Sequence, residues 1–418
     1  MHFFAYKNGE LYAEDVPVAA LAEKYGTPLY IYSHQTVERH FQAYDDAYRH
    51  YPHIICYALK ANSSGAILRL LAKQGCGADI VSGGELFRAR RAGIPGDRIV
   101  YAGVGKTEKE IRSALKAGIL MFNVESVDEL REIDRVAGTM KLKAPVALRI
   151  NPDIDPQTHP YISTGMKEHK FGISIEDAIE HYRLASKLRN VDVIGVQKHI
   201  GSQITKISPF VDAMKRILLL LDELNERKFK IRYLDIGGGL GIPYLDETPP
   251  APGDLARELL PLLNGRKVTL IMEPGRSIVG NAGVLVTKVL YLKKGAGKDF
   301  VIVDAGMNDL MRPSLYDAYH HIIPVKKARR PLITADIVGP ICESGDFLAR
   351  GRRIGKVAHG DLLSVMSAGA YGMTMSSNYN SRPTIAEVLV KGKTHGLIRR
   401  RGTHEDLVRD EVIPGYLK

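Results

Sequence analysis

Short β-branched runs separated by longer amphipathic stretches recur from residue 54 to residue 272, and this alternation restricts the fold more than any other feature. The runs are Ile54–Leu59, Ala78–Val81, Ile99–Ala102, Leu120–Val124, Val146–Ile150, Val193–His199, Tyr233–Ile236 and Thr269–Met272. Their near-continuous apolar character is that of strands buried on both faces of a parallel sheet. Between them, Ala66–Lys73, Glu85–Ala92, Lys109–Lys116, Asp177–Leu188 and Phe210–Glu226 read as helices. In the last, Phe210, Met214, Ile217 and Leu221 recur at three- and four-residue steps, the spacing of one buried helix face. About eight strands alternating with helices over roughly 220 residues is the rhythm of a TIM (β/α)8 barrel.

After about Ile278 the rhythm changes. Val284–Tyr291, Phe300–Val303, Leu332–Val338, Leu362–Ser367 and Ile385–Val390 follow one another with Gly, Pro and basic turns and little helix. That pattern predicts a mostly antiparallel β-domain, so the fold class is α/β with two domains. Near the start, Phe3–Tyr6 and Leu11–Tyr12 flank Asn8-Gly9 and read as a hairpin. The expected organisation is a barrel over 31–277, a β-domain over 278–418, and a segment 1–30 joining the β-domain.

Composition sets the outer limits. A chain of 418 residues is too long for one ordinary core, and 45% hydrophobic with 25% charged residues is the balance of a folded globular protein. No apolar run approaches the ~20 residues needed to cross a bilayer. Met1 to Glu14 lacks a basic-then-apolar leader pattern. The three cysteines, Cys56, Cys76 and Cys342, are too few and scattered for a disulfide framework or a metal site. A reducing, cytoplasmic setting without a membrane partner or a metal is expected. The net charge of +11 concentrates in Lys326–Arg330, Arg350–Arg353 and Arg399–Arg401. None of these is interleaved with aromatics or set in a nucleic-acid motif, so a solvated basic surface is expected and no nucleic-acid partner.

In a TIM barrel, chemistry forms at the C-terminal ends of the strands, and phosphate is often held after strands seven and eight. The first strand here runs into Lys60 and the sixth into His199-Ile-Gly-Ser202. The seventh meets Gly237-Gly238-Gly239-Leu-Gly241, and the eighth Glu273-Pro274-Gly275-Arg276. Glycine-rich turns let backbone N–H groups approach a phosphate, and Arg276 adds charge. A lysine, a phosphate cradle and a carboxylate converging on one mouth suggest pyridoxal 5'-phosphate, with a lysine for covalent attachment and an acid for the ring nitrogen. Singly, each has an ordinary reading: a solvated lysine, a plain turn, a core histidine, a loop. Their weight lies in falling, in order, at the expected strand ends.

Together with Tyr57-Ala-Leu-Lys60-Ala-Asn62, Gly77-Ala-Asp79-Ile-Val-Ser82, Lys170-Phe-Gly-Ile173, Arg312-Pro-Ser-Leu-Tyr316, Cys342-Glu343-Ser-Gly-Asp346, Gly369-Ala-Tyr371-Gly372 and Asn378-Tyr-Asn-Ser-Arg-Pro383, these motifs run nearly the length of the chain. The ordered set resembles the alanine-racemase-fold, pyridoxal-phosphate-dependent decarboxylases, and within them the diaminopimelate decarboxylase family. His169, before Lys170, stands where that pattern has a small residue.

The resemblance implies residue roles. Lys60 carries the cofactor, His199 stacks on its ring, Glu273 pairs with the ring nitrogen, and Asp79 lies near both. Ser202, Gly238, Gly239, Pro274, Gly275, Arg276 and Tyr371 surround the phosphate. Cys342, from the partner subunit of a homodimer with shared active sites, returns a proton after carbon dioxide leaves. Arg276, Arg312, Tyr316 and Tyr371 meet the substrate, with Glu343 at its far ammonium group. Arginine suits a second carboxylate, which is what separates diaminopimelate from lysine or ornithine. The implied reaction is decarboxylation of meso-2,6-diaminopimelate to L-lysine, the last step of lysine biosynthesis by this route. Ornithine, arginine or carboxynorspermidine decarboxylation is the alternative within the fold. A non-catalytic regulatory homologue is a third reading, against which the presence of Lys60 and Cys342 weighs.

Overall fold

The computed structural model describes residues 2–155 and 170–417, so His169 lies outside the described residues. The chain divides into two compact units, Val37–Ile278 and a second made of Met1–Thr36 with Val279–Lys418.

The first unit is a closed barrel of parallel strands. We label them β1 (His53–Ala58), β2 (Gly77–Ile80), β3 (Ile99–Tyr101), β4 (Met121–Val124), β5 (Ala144–Asn151), β6 (Val191–Gln197), β7 (Tyr233–Asp235) and β8 (Thr269–Met272). Each pairs with its successor, and β8 returns to β1 through Leu270 opposite His53, which closes the ring. The eight apolar runs of the sequence are these eight strands, displaced by a residue or two at their ends. Cys56, Val100, Met121, Ala147, Ile194 and Ile271, from six different strands, fill the interior as one cluster. The barrel is therefore a packed core, and its chemistry is confined to the rim.

The outer helices carry local start and stop signals. Ser82 caps Gly83–Ala92 by accepting from the Glu85 N–H, and Gly93 ends it in the left-handed region. Thr107 and Glu110 form a reciprocal capping box on Glu108–Ala117. The helix Ser208–Glu226 buries Phe210, Met214, Ile217 and Leu221 along one face, as their spacing predicts. Among the described residues, no helix is long and apolar enough to cross a membrane.

The second unit is mostly antiparallel sheet. The long strand Gly283–Gly295 pairs antiparallel with Lys298–Val303, Leu362–Val365 and Leu29–Ser33. Leu29–Ser33 pairs in turn with Ala386–Lys391, one of two parallel contacts in the sheet; the other joins Lys298–Val303 to Leu332–Val338. At the N-terminus, Phe4–Lys7 and Glu10–Ala13 form the expected hairpin, with Asn8 and Gly9 both at positive φ in its turn. Phe4, Leu11, Leu29, Val284 and Val388 belong to one buried cluster, so this core draws on both ends of the chain.

Candidate active site

Lys60 sits in a tight turn, Leu59–Ala61, directly after β1. Its Nζ lies 3.5 Å from Asp79 Oδ2, at the limit of hydrogen bonding, and its side chain is 41% exposed while that of Asp79 is 1% exposed. A lysine half open to solvent beside a fully buried acid is poised to act outward and is electrostatically anchored inward. Burial raises the Asp79 carboxyl above its ordinary range, and Lys60 pulls it back down.

Further round the same rim the loops after β6, β7 and β8 interlock. The Gly238 N–H donates to His199 Nδ1 at 3.2 Å, which leaves the ring proton on Nε2. Burial, then the Lys60, Arg149 and Lys198 charges, lower the His199 pKa well below its ordinary value, so the ring is neutral. A neutral imidazole can lie against a cationic aromatic ring without charge repulsion. Gly238 itself is tightly enclosed: a Cβ there would fall 2.2 Å from the Glu273 carbonyl oxygen. At Gly239, with φ of +111°, a Cβ would meet the Gly201 carbonyl oxygen at 2.5 Å. The loop after β8 is stitched to the Lys60 turn, since the Ala58 N–H donates to the Pro274 carbonyl at 3.1 Å. Gly275 packs so closely there that a Cβ would lie 3.0 Å from Ala61 Cβ.

Glu273 is buried, and its Oε1 accepts from Asn123 Nδ2 at 3.1 Å while Oε2 accepts from Gln197 Nε2 at 3.3 Å. The same Asn123 amide donates to Asp235 Oδ2 at 3.0 Å. Burial pushes the Glu273 carboxyl well above the usual carboxylate range, and the Asp235 and Asp79 carboxylates push it further. Arg276 is buried as well, with Nη1 donating to Tyr244 Oη at 2.7 Å and Nη2 to Ser202 Oγ at 3.0 Å. The barrel rim thus brings together Lys60, Asp79, His199, Ser202, Gly238, Gly239, Glu273, Pro274, Gly275 and Arg276. Asn123, Gln197, Asp235 and Tyr244 have no role in the sequence reading. The first three are polar residues inside otherwise apolar strand runs, which is the signal that could have found them.

Arg312, Tyr316, Cys342, Glu343 and Tyr371 belong to the second unit. Arg312 opens the short helix Arg312–Tyr316 and is buried. Its Nη1 lies 2.8 Å from His320 Nε2, and His320 Nδ1 lies 2.8 Å from the Met366 carbonyl oxygen. Since arginine can only donate, Nε2 accepts and Nδ1 carries the proton, so His320 is neutral and fixes Arg312. Cys342 and Glu343 are exposed on a loop held at its base by Asp346, which accepts from the Met307 and Ile341 N–H groups, each at 2.6 Å. Ser314 Oγ donates to the Gly345 carbonyl at 2.6 Å, tying the Arg312 helix to that loop. Tyr371 has φ of 54°, a left-handed conformation uncommon for an aromatic residue and frequent at functional sites. By contrast Cys56 and Cys76 are buried, and burial pushes the Cys76 thiol up to about 12. They are packing residues.

Comparison with known proteins agrees with this geometry. Residues 34–280 match the pyridoxal-dependent decarboxylase, pyridoxal binding domain family. The diaminopimelate decarboxylase of Aquifex aeolicus (strain VF5) is 54% identical over 411 residues, covering 98% of this chain and 97% of that one. A crystal structure of diaminopimelate decarboxylase from M. jannaschii in co-complex with L-lysine superposes with a TM-score of 0.94 at 42% identity, covering 99% of each chain. A Helicobacter pylori diaminopimelate decarboxylase complexed with L-lysine gives 0.91 at 43% identity, covering 94% of this chain and 98% of that one. With a barrel rim built around Lys60, Glu273 and the glycine loops, and kinship along nearly its whole length, the chain belongs to the diaminopimelate decarboxylase family of pyridoxal-dependent decarboxylases.

Proposed function

We propose that this protein decarboxylates meso-2,6-diaminopimelate to L-lysine and carbon dioxide, using pyridoxal phosphate held at the barrel rim. The observation that carries this reading is the pairing of Lys60 with buried Asp79 at 3.5 Å in a rim that also holds a buried Glu273. The substrate assignment rests on the names of the relatives and on lysine, the expected product, in two of their structures.

The residues present fit the cofactor. A Cβ at Gly238 or Gly239 would strike backbone oxygen, so those loops keep a backbone surface suited to a phosphate, with Arg276 beside it. Lys60 would supply the attachment point, Glu273 would pair with the ring nitrogen, and neutral His199 would stack on the ring. Asp79, buried at the lysine's foot, orients the amine. When bound, pyridoxal phosphate accepts the electron pair left as carbon dioxide departs. Glu273 keeps the ring nitrogen protonated by placing an acceptor beside a cationic site. Cys342 Sγ delivers a proton to the substrate's α-carbon. Arg276, Arg312 and Tyr316 bind the distal carboxylate, Glu343 binds the distal ammonium, and Tyr371 contributes to both phosphate and substrate binding.

In this reading the protein is a homodimer in which Cys342 and Glu343 complete the partner's site, and it works in the cytoplasm on a small amino acid. The direct test is turnover of meso-diaminopimelate beside ornithine, arginine and carboxynorspermidine. Lysine and carbon dioxide should appear with the first alone at comparable enzyme concentration. Preferred turnover of any other member of the panel overturns the substrate assignment.

A further inference from the structure

Asp235 ends β7, one residue before the glycine loop, and lies fully buried next to Glu273. The Asp235 charge opposes ionisation of Glu273, which holds a proton on the pair. The two carboxyls share Asn123, whose single amide nitrogen donates to both, at 3.0 Å to Asp235 and 3.1 Å to Glu273. Two carboxylates confined this closely cannot both ionise readily. The asymmetry of their other partners decides where the proton sits. Asp235 Oδ1 accepts the Gly237 N–H at 2.9 Å, whereas Glu273 receives its remaining donor, Gln197 Nε2, at 3.3 Å. Lys198 is fully buried behind Asp235 with no hydrogen bond to its ammonium among the described residues, and its charge favours an ionised Asp235. Asp79, on β2, opposes a second negative charge on Glu273.

We infer that Asp235 is a positioning residue for the cofactor: with Glu273 it forms a two-carboxyl pair that holds one negative charge beside the ring nitrogen, and Glu273 accepts the hydrogen bond from that nitrogen. This rests on the reading that Glu273 faces that nitrogen. A lone buried glutamate would have to carry its own charge in an apolar rim. With Asp235 sharing it, the ring nitrogen keeps its proton to higher pH. The other groups facing the pair are Lys60 after β1, Cys56 inside the barrel, and Lys198 and His199 after β6. Arg149 and Glu125 act on them through Asp79. Cys56 stays a neutral thiol because burial raises it well above its ordinary value, and His199 stays a neutral ring. Lys198, lowered to about 8 by burial, titrates within the working range, so Lys198→Met is measured alongside.

The test reads the proton rather than the turnover. Wild type, Asp235→Asn, Glu273→Gln and Lys198→Met are reconstituted with 15N-labelled pyridoxal phosphate, and the ring-nitrogen shift is followed with pH. The Asp235→Asn midpoint should fall by about one pH unit or more, the scale of a lost like-charge neighbour. Its kcat should fall about 10-fold on that basis with KM little changed. Glu273→Gln should leave the nitrogen unprotonated at neutral pH. If Glu273→Gln moves the shift and Asp235→Asn does not, the inference is overturned while the reading of Glu273 stands. If neither moves it, Glu273 does not face the ring and both fall. Infrared spectra of the apoprotein give a second measurement that does not depend on the Asp235→Asn chain folding. Wild type should show a protonated-carboxyl stretch at neutral pH that Glu273→Gln removes; its absence from wild type overturns the proton held on the pair.

Discussion

Lys198 carries an ammonium in a place that water does not reach, with the Phe210 ring centroid 5.7 Å away. Burial lowers its pKa to about 8 in the folded protein, while the unfolded chain returns it to its ordinary value of 10.5. Between these values the unfolded chain binds more protons, so this residue makes stability rise as pH climbs through that window and exerts its full penalty below it. Lys198→Met should therefore stabilise the protein at pH 7 by about 1–3 kcal/mol, with the gain fading from about pH 8 and nearly gone by about pH 10. Urea unfolding at the two pH values checks this; equal gain at both would show that charge is not the cause. Glu273→Gln belongs to the same scale. It should retain cofactor absorbance yet lose decarboxylation rate by about 10²-fold, typical of a preorganised electrostatic group. Near-normal turnover would remove Glu273 from the mechanism. Lys60, His199 and Glu273 could be read from the sequence because each stands at the end of an apolar run or directly after it. Asp235 could not, although it stands two residues before Gly237, because only tertiary packing brings it to Glu273 and Asn123.

The barrel strands were legible because burial on both faces makes each a distinct apolar run between helices. Leu29–Ser33 was missed for a related reason. All its residues are buried, so it has no period, and its partners are more than two hundred residues away. Phe347–Gly355 was also missed, since its second half, Gly-Arg-Arg-Ile-Gly, is largely exposed and reads as a basic turn. The loops after the strands have a sharper requirement than the strands do. Gly238→Ala would place a methyl group 2.2 Å from a backbone oxygen of Glu273, and no side-chain rotation relieves that. Displacing the loops after β7 and β8 should cost about 1–3 kcal/mol. It should weaken pyridoxal phosphate binding by about 10-fold or more, one decade per 1.4 kcal/mol, as read by absorbance titration of the apoprotein. Unchanged affinity would mean that these loops do not hold the cofactor.

At the scale of the molecule, the proposed shared site makes a prediction that single chains cannot satisfy. Lys60→Ala and Cys342→Ala should each be nearly inactive alone. Co-expressed, they should recover roughly a quarter of wild-type activity, because half of randomly paired dimers are mixed and each mixed dimer has one intact site. Mixed dimers that stay as inactive as their parents would place Cys342 within its own subunit or outside the chemistry. The strand Leu29–Ser33 has a consequence of another kind. It lies between Gly283–Gly295 and Ala386–Lys391, so the second sheet cannot be completed until a strand made early in translation meets strands made much later. The barrel, continuous from Val37 to Ile278, needs no such wait. During synthesis Leu29–Ser33 must therefore wait without its sheet partners while the barrel is made, as a fully apolar-facing strand in want of its neighbours. A nascent chain stalled near Ile278 should accordingly bind a holdase chaperone through that segment, and replacing buried Ile31 and Tyr32 with serine should abolish the capture.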